Sequence, residues 1–251
     1  MTFTLENFKN LFDFQKDKSR FEICNLLSQQ IELSKNEKNN FDLKVENILL
    51  NSIKYYQRNF CRNIIEHFNH NNKNSEINFN KLDFDNKLNY IEKFAENVHL
   101  KNNLNLNKDI EDQTKYFEHK KWAIIYLFLR AGLIRECIIY IEKIKEKNEE
   151  NSNNRINYTG YVDTNAFEIE IFLKLIEQIY SDREICVDSY KKLSELAARR
   201  HLKDIEPYKY CCLNLLLKIH VPQNENIFLN FDDYIWYHLN LIYKKNNFYK
   251  V

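Results

Sequence analysis

The stretch KKWAIIYLFLRAGLIRECIIYIEKI, residues 120–144, is the most apolar part of the chain and contains one of its only two glycines, Gly132. Before that glycine, Trp122, Tyr126 and Leu129 fall on one face of a helix. After it, a second face consists of Leu133, Cys137, Tyr140 and Ile144. Glycine is the residue that adopts a positive φ without a steric penalty. The stretch therefore predicts two antiparallel helices that meet at a tight turn.

This stretch is too short to cross a membrane. Its uncharged run from Trp122 to Leu129 covers eight residues, whereas a bilayer span needs about 20. The N-terminus MTFTLENFKNLFDF has neither the basic start nor the continuous apolar region of a secretion signal. We therefore expect a soluble, intracellular protein without a transmembrane segment.

Composition and periodicity predict helices along the chain. The 251 residues include two glycines and two prolines, far below the average usage of about 7% and 5%. Sheets with tight turns and phosphate-binding loops both need glycine. From Phe41 to Phe68 apolar residues recur every three or four positions, which predicts one long helix, and a second such stripe runs from Leu88 to Val98.

Start signals place further helices in the second half of the chain. The sequence SDRE at 181–184 has the form of a capping box, and a stripe from Val187 to Ala197 follows it. Pro207 predicts a helix start near Glu206, because proline is tolerated only in a first helical turn. Asn230 has a suitable side chain for the N-cap of a last helix.

Polar segments predict the loops between these helices, near residues 70–80, 101–109, 147–162 and 221–229. Pro222 in the last segment ends a helix. The sequence INFNKLDF at 77–84 alternates like a strand, but no partner strand is predicted, so we expect a loop or a helix lead-in. The expected fold is all-α, an irregular α-helical solenoid of antiparallel helix pairs. We divide it into an N-terminal helical region, 1–110, and a solenoid region, 111–251.

Charge and cysteine usage favour neither nucleic acid nor a disulfide framework. The 37 basic and 36 acidic residues give a net charge of +1, so no overall field attracts nucleic acid or an anionic membrane. Without a secretion signal, we expect the cysteines to be reduced and buried as small hydrophobic side chains. They are Cys24, Cys61, Cys137, Cys186, Cys211 and Cys212.

The candidates for a metal site are weak. Cys61 and His67 are six residues apart and lie on different helical faces, and only His67 and His70 have a spacing that suits a shared metal ion. Cys211 and Cys212 are adjacent and point about 100° apart on a helix. No glycine loop or nucleophile elbow occurs in the sequence. We therefore expect no enzyme, cofactor or metal, and an all-α metal-dependent enzyme is a distant alternative.

Three elements of the second half resemble a known family. WAIIYLFLRAG, EPYKYCCLNLLLKI and FDDYIWYHLNLI are similar, in order and approximate spacing, to the W-x-x-x-Y-x-x-L-R-x-G, D-P-Y-K and D-D-Y-x-W elements of the nucleoporin-interacting component family. These are the inner-ring scaffold nucleoporins of the nuclear pore. The resemblance covers about residues 116–243. The matching positions are Trp122, Tyr126, Leu129, Arg130 and Gly132, then Pro207, Tyr208 and Lys209, and finally Asp232, Asp233, Tyr234 and Trp236.

The resemblance implies an α-helical scaffold of the nuclear pore complex at the nuclear envelope. Such a scaffold binds other nucleoporins, including central-channel or linker nucleoporins, and supports transport of protein and mRNA between nucleus and cytoplasm. It implies no cofactor and no direct contact with nucleic acid. A vesicle-coat-type scaffold with a similar helical architecture is the alternative.

The sequence departs from the family pattern at several places. Glu206 stands where the family usually has aspartate, and Cys137 where it tends to have alanine. The chain ends soon after the third element, and we expect it to lack the long N-terminal coiled-coil segment that in the family recruits central-channel nucleoporins. We therefore expect a reduced protein, a fragment or one half of a split gene.

The matching positions are expected to be structural. Trp122 and Trp236 lie in apolar helical stripes, so we expect core packing rather than anchoring of a partner. Arg130 follows an apolar run, and we expect it to bond terminal carbonyls of its own helix or an internal acid rather than a carboxylate of a partner.

Overall fold

A computed structural model describes residues 41–69, 78–100, 110–154, 164–180, 187–198, 206–217, 227–228 and 230–248. These residues form helices and short connections, with no strand among them. The chain divides into two compact units, Met1–Ser52 and Ile53–Val251. The packing described below lies within the second unit. The all-α, solenoid-like class is confirmed, and the predicted division at residue 110 stays a prediction.

Eight helices occur in the described ranges: α1 Phe41–Asn69, α2 Phe84–Phe94, α3 Ile110–Ala131, α4 Ile134–Asn154, α5 Thr164–Tyr180, α6 Val187–Ala197, α7 Pro207–Leu217 and α8 Phe231–Phe248. A 3₁₀ turn, Phe79–Lys81, precedes α2, and a π-helical segment, Ala95–Leu100, continues it. The long helix predicted from Phe41 is confirmed. The stripe from Leu88 to Val98 is also helical, and the π-helical segment forms its last part.

Local side-chain chemistry explains where three helices begin. Asp83 caps α2 and Asn230 caps α8, each accepting a hydrogen bond from the backbone N–H three residues later, at 2.8 Å and 3.0 Å. α7 begins at Pro207, whose missing N–H would have no helical partner in a first turn. The N-cap at Asn230 and the start near Glu206 are thus confirmed, and residues 78–83 lead into α2.

One loop prediction is wrong, and one predicted helix buries a face that does not include all of its predicted stripe. α4 continues through residues 147–154, which were predicted as loop, because no glycine or proline interrupts the segment. The helix predicted after SDRE is confirmed as α6, Val187–Ala197, but Val187 is 77% exposed, whereas Leu193, Leu196 and Ala197 form the buried face. Steps of three residues rotate a stripe by about 60° around a helix, so a stripe begun at Val187 leaves the buried face.

Several predictions fall outside the described residues. They are the capping box at 181–184, the loop at 101–109, most of the loops at 70–80 and 221–229, residues 155–162 and Pro222.

Gly132 ends α3 in the left-handed conformation, with φ 74°. Its N–H donates to the Leu129 carbonyl at 3.1 Å, and the Leu133 N–H donates to the Phe128 carbonyl at 2.9 Å. This pair of bonds is a Schellman turn, which satisfies carbonyls at the end of α3. α4 then packs on α3, where the rings of Phe128 and Tyr140 lie 5.8 Å apart. The predicted tight turn at Gly132 is therefore confirmed.

α3 is the central helix of the second unit. Its segment from Trp122 to Ala131 is buried throughout. α3 contacts α2 and the π-helical segment, α4, α7 and α8, while the other contacts mainly join successive helices from α4 to α8. A regular solenoid has contacts between neighbouring repeats alone, so the return of α7 and α8 to α3 makes this solenoid-like fold irregular. Among the helices described, none combines enough length and apolarity for a membrane crossing.

Gly132→Ala tests the turn. An added Cβ would lie 2.6–2.8 Å from the end of the Gln57 side chain, which is flexible and can move aside. The main cost is then the positive φ, and we expect the free energy of unfolding in urea to fall by about 1–2 kcal/mol. Adding Gln57→Ala should restore only a small part of that loss. A Gly132→Ala protein as stable as wild type would contradict the role of the turn.

Candidate functional site

The family-like elements of α3, α7 and α8 meet in one place, which we call the motif cluster. It consists of the matching positions of the three elements. Tyr126 of the first element connects the other two, because its ring centroid lies 5.9 Å from that of Tyr208 and 6.2 Å from that of Trp236. All three side chains are buried. Residues far apart in the sequence therefore share one core.

Arg130 is the charged centre of the motif cluster. Its Nε donates to Asp233 Oδ1 at 2.7 Å, and its Nη1 donates to the Tyr56 carbonyl at 2.9 Å. The guanidinium carbon lies 4.7 Å from the ring centroid of Phe60 and 5.0 Å from that of Trp236. The side chains of Arg130 and Asp233 are 1% and 2% exposed. Arg130 thus connects α1, α3 and α8 through interactions shielded from water.

The ends of two helices favour the charges of this ion pair. Arg130 lies in the last turn of α3, and Asp233 lies in the first turn of α8. Unpaired carbonyls at a helix C-terminus favour a cation, and unpaired N–H groups at an N-terminus favour an anion. Burial, followed by the nearby Asp233 carboxylate, raises the pKa of Tyr126 well above its usual value, so the phenol is neutral. The expectation that Arg130 bonds an internal acid is confirmed.

Lys209 is a second buried cation of the motif cluster. Its ammonium group donates to the Glu168 carboxylate of α5 and, at 3.0 Å, to the Glu206 carboxylate beside the start of α7. It also lies 5.7 Å from the ring centroid of Trp122. The Lys209 side chain is 3% exposed. Glutamate at position 206, where the family usually has aspartate, therefore still supplies a carboxylate to the lysine of the second element.

The remaining matching positions differ in exposure. Trp122 is buried and its ring makes an edge contact with Phe172, with centroids 5.2 Å apart. Leu129 is buried as well. Pro207, Asp232 and Tyr234 are half-buried, and Gly132 is exposed at its turn. Both tryptophans therefore lie in the core, as their apolar stripes predict.

Three contributors to the cluster were not singled out from the sequence. Tyr56 contributes a backbone carbonyl, and every residue has one. Phe60 belongs to the predicted apolar stripe of α1, but periodicity does not reveal which group lies against it. Glu168 resembles the solvated acids of other helix faces. A buried cation requires hydrogen-bond acceptors. Arg130 therefore indicates that acceptors lie nearby, but the sequence does not identify them.

The four cysteines that the structure describes do not provide reactive groups. Cys61 is a free thiol that donates to the Ala131 carbonyl at 3.7 Å, and burial raises its pKa to about 11. Burial raises the other thiol pKa values as well, so these groups stay protonated and unreactive at neutral pH. The other buried free thiols are Cys137, Cys211 and Cys212. Cys24 and Cys186 lie outside the described residues.

The part of the chain that the structure describes contains no group of three or more His, Cys, Asp or Glu side chains placed to hold a metal ion. The ring of His67 makes edge contacts with Phe68 and Phe94, at 4.9 Å and 5.6 Å between centroids. His70 lies outside the described residues.

Breaking the buried ion pair from one side tests what it contributes. Arg130→Met removes the cation beside the Asp233 carboxylate, and we expect it to lower the free energy of unfolding by about 3–5 kcal/mol. The double variant Arg130→Met/Asp233→Leu removes both charges and should recover part of the loss. Denaturant unfolding of both variants and of Asp233→Leu measures the coupling free energy between Arg130 and Asp233.

The pair between Lys174 and Glu170 on α5 is the matched control. Its side chains are 56% and 37% exposed, and exposed pairs contribute about 0.2–1 kcal/mol. Lys174→Met should therefore have a small effect. Equal losses from Lys174→Met and Arg130→Met would contradict the importance of the buried pair.

Comparison with known proteins places the chain in a family. A family model described as Nup93/Nic96 matches residues 15–250. No match is found among curated proteins or among solved structures. The matched range covers nearly the whole chain, so it includes the motif cluster and also N-terminal residues that the three elements do not reach. The chain therefore belongs to the Nup93/Nic96 family, the inner-ring scaffold nucleoporins that its three elements resemble.

Proposed function

We propose that this protein is a structural scaffold of the inner ring of the nuclear pore complex. There it binds other nucleoporins and supports the transport of protein and mRNA across the nuclear envelope. Membership of the Nup93/Nic96 family supports this role. The structural observation that carries the proposal is the meeting of the three family-like elements. Arg130 and Asp233 join the first to the third, and Tyr126 and Tyr208 join the first to the second.

The burial of the motif cluster supports a structural role for the matching positions. Trp122, Tyr126, Arg130 and Trp236 are at most 5% exposed, so a partner on the surface does not reach them. Their contribution is to fix how α3, α7 and α8 pack. Partners then bind the outer faces of the helices, where stacked helices offer grooves for amphipathic segments.

The proposal gives the protein binding partners and no reaction to catalyse. Two buried cations form ion pairs between helices, Arg130 with Asp233 and Lys209 with Glu168. Its buried thiols are protonated. Both features stabilise packing, and packing is what a scaffold contributes to an assembly.

Affinity purification of the tagged full-length protein from its own cells at low salt tests the function, with cross-linking and mass spectrometry of the bound proteins. We expect helical scaffold nucleoporins, cross-linked at specific lysines. Coat subunits and cargo adaptors in their place would contradict the proposal in favour of a vesicle coat. Purification without any nucleoporin would also contradict it.

Trp122→Ala tests the structural role of the motif cluster in the same assay. Truncating a buried tryptophan costs about 3–5 kcal/mol of a total stability of about 5–15 kcal/mol. The melting temperature should therefore fall, and the variant should bind fewer partners because less of it is folded. Phe117→Ala truncates an aromatic side chain on the same helix that is 61% exposed, and its melting temperature should match wild type. A Trp122→Ala protein with normal melting but no partners would contradict the structural role.

A further inference from the structure

Three basic side chains form a line on the outer face of α1. Lys54, Arg58 and Arg62 follow one another at intervals of four residues, and all three are exposed. Four-residue neighbours lie one above the other on a helix, and the line spans about 12 Å at 1.5 Å per residue. Tyr55, which is 44% exposed, lies beside it. We call these four residues the basic row.

The fold itself does not use the charges of the basic row. Lys54, Arg58 and Arg62 take part in no hydrogen bond or ion pair in the described structure. Like charges four residues apart repel one another and weaken a helix. By contrast, the buried cations Arg130 and Lys209 each bond a carboxylate. Repulsion between neighbours in the basic row therefore carries a cost to α1, and among the described residues of this face only Glu66, four residues after Arg62, has the opposite charge.

The inner face of α1 holds the basic row in a fixed orientation. Ile53, Tyr56, Phe60 and Ile64 are 0–5% exposed and form the opposite face of the helix. The Tyr56 carbonyl and the Phe60 ring both contact the Arg130 guanidinium. α1 is thus attached to the core along the same turns that carry the row, so a binding partner meets charges at defined positions.

We propose that the basic row is the docking surface for an acidic helical segment of a partner protein. On a helix with a carboxylate at every fourth residue, neighbouring carboxylates lie about 6 Å apart along the axis, which is also the spacing of the cations in the row. Arginine forms paired hydrogen bonds with carboxylates. Tyr55 adds an aromatic contact of the kind enriched at protein interfaces. Charge complementarity thus defines the partner by its acidic face.

A protein segment fits the row better than a nucleic acid does. Nucleic-acid binders typically neutralise about 6–10 phosphates, whereas this row supplies three cations and the chain has a net charge of +1. Glu66, exposed one four-residue step beyond Arg62, ends the row with the opposite charge. The inference rests on the proposed function in one respect, that the scaffold binds protein partners.

Fluorescence anisotropy with the full-length protein tests the proposal. The probe is a labelled alanine-based helical peptide with three glutamates at four-residue intervals, and the control peptide carries glutamine at those positions. We expect the glutamate peptide to bind, the glutamine peptide not to bind, and binding to weaken between about 50 and 200 mM salt. No binding of the glutamate peptide, or equal binding of both peptides, would overturn the proposal. Tighter binding of a single-stranded RNA than of the peptide would overturn it in favour of nucleic acid.

Charge-reversal variants locate the binding to the row. Lys54→Glu/Arg58→Glu/Arg62→Glu should weaken peptide binding at least about tenfold. The matched control Lys93→Glu/Lys147→Glu/Lys191→Glu makes the same charge change at exposed lysines of α2, α4 and α6, and it should bind the peptide more tightly than the row variant does. Replacing the row residues with glutamine keeps the test valid if the reversed protein does not fold. Equal binding by the row and control variants would overturn the proposal.

Purification from cells separates this proposal from the proposed function. A row variant that keeps most nucleoporin partners and loses one with an acidic cross-linked segment supports both. A row variant that keeps every partner of the wild type overturns the docking surface and leaves the scaffold role standing. A wild-type protein that binds the acidic peptide but no nucleoporin overturns the scaffold role alone.

Discussion

The buried guanidinium of Arg130 constrains the rest of the second unit. A cation away from water is costly unless carboxylates, carbonyls or aromatic rings surround it. Asp233 supplies the carboxylate, Tyr56 a carbonyl, and Phe60 and Trp236 the rings. These groups come from α1 and α8, so both helices must reach the end of α3. Arg130 and Asp233 are 103 residues apart in the chain, and the packing of α3 against α8 follows from joining them.

Signals that act within a few residues were predictable from the sequence. Gly132, Pro207 and Asn230 each obey a backbone rule, positive φ, a first helical turn or an N-cap, and the structure confirms all three. Partners across the fold were not predictable in the same way, because a carbonyl such as that of Tyr56 has no sequence signature. Val187 was not identified as exposed, because positions three residues apart move steadily around the helix and Val187 therefore lies off the buried face. The loop prediction for 147–154 fails because polar residues without glycine or proline can also form a helix.

The placement of charge distinguishes the interior of this protein from its surface. In the core, Lys87, Arg130 and Lys209 are each bonded to a carboxylate on a different helix, which links helices distant in the chain. On the outer face of α1, the three cations of the basic row have no such partner among the residues that the structure describes. Internal pairing suits residues that hold a scaffold together, and external charge suits residues that bind other proteins. The proposed docking surface therefore lies on α1, apart from the buried charges that bond helices to one another.

Hydrogen exchange with mass spectrometry, comparing full-length wild type with Arg130→Met under native conditions, tests most directly whether the guanidinium unites three helices. If the guanidinium joins these helices, Arg130→Met should exchange faster in three places together, at the C-terminal end of α3, in residues 53–64 of α1 and in the first turns of α8. α5 and α6, which do not contact Arg130 in the described interactions, should exchange as in wild type. Faster exchange confined to the last turn of α3, with α1 and α8 unchanged, would contradict the account.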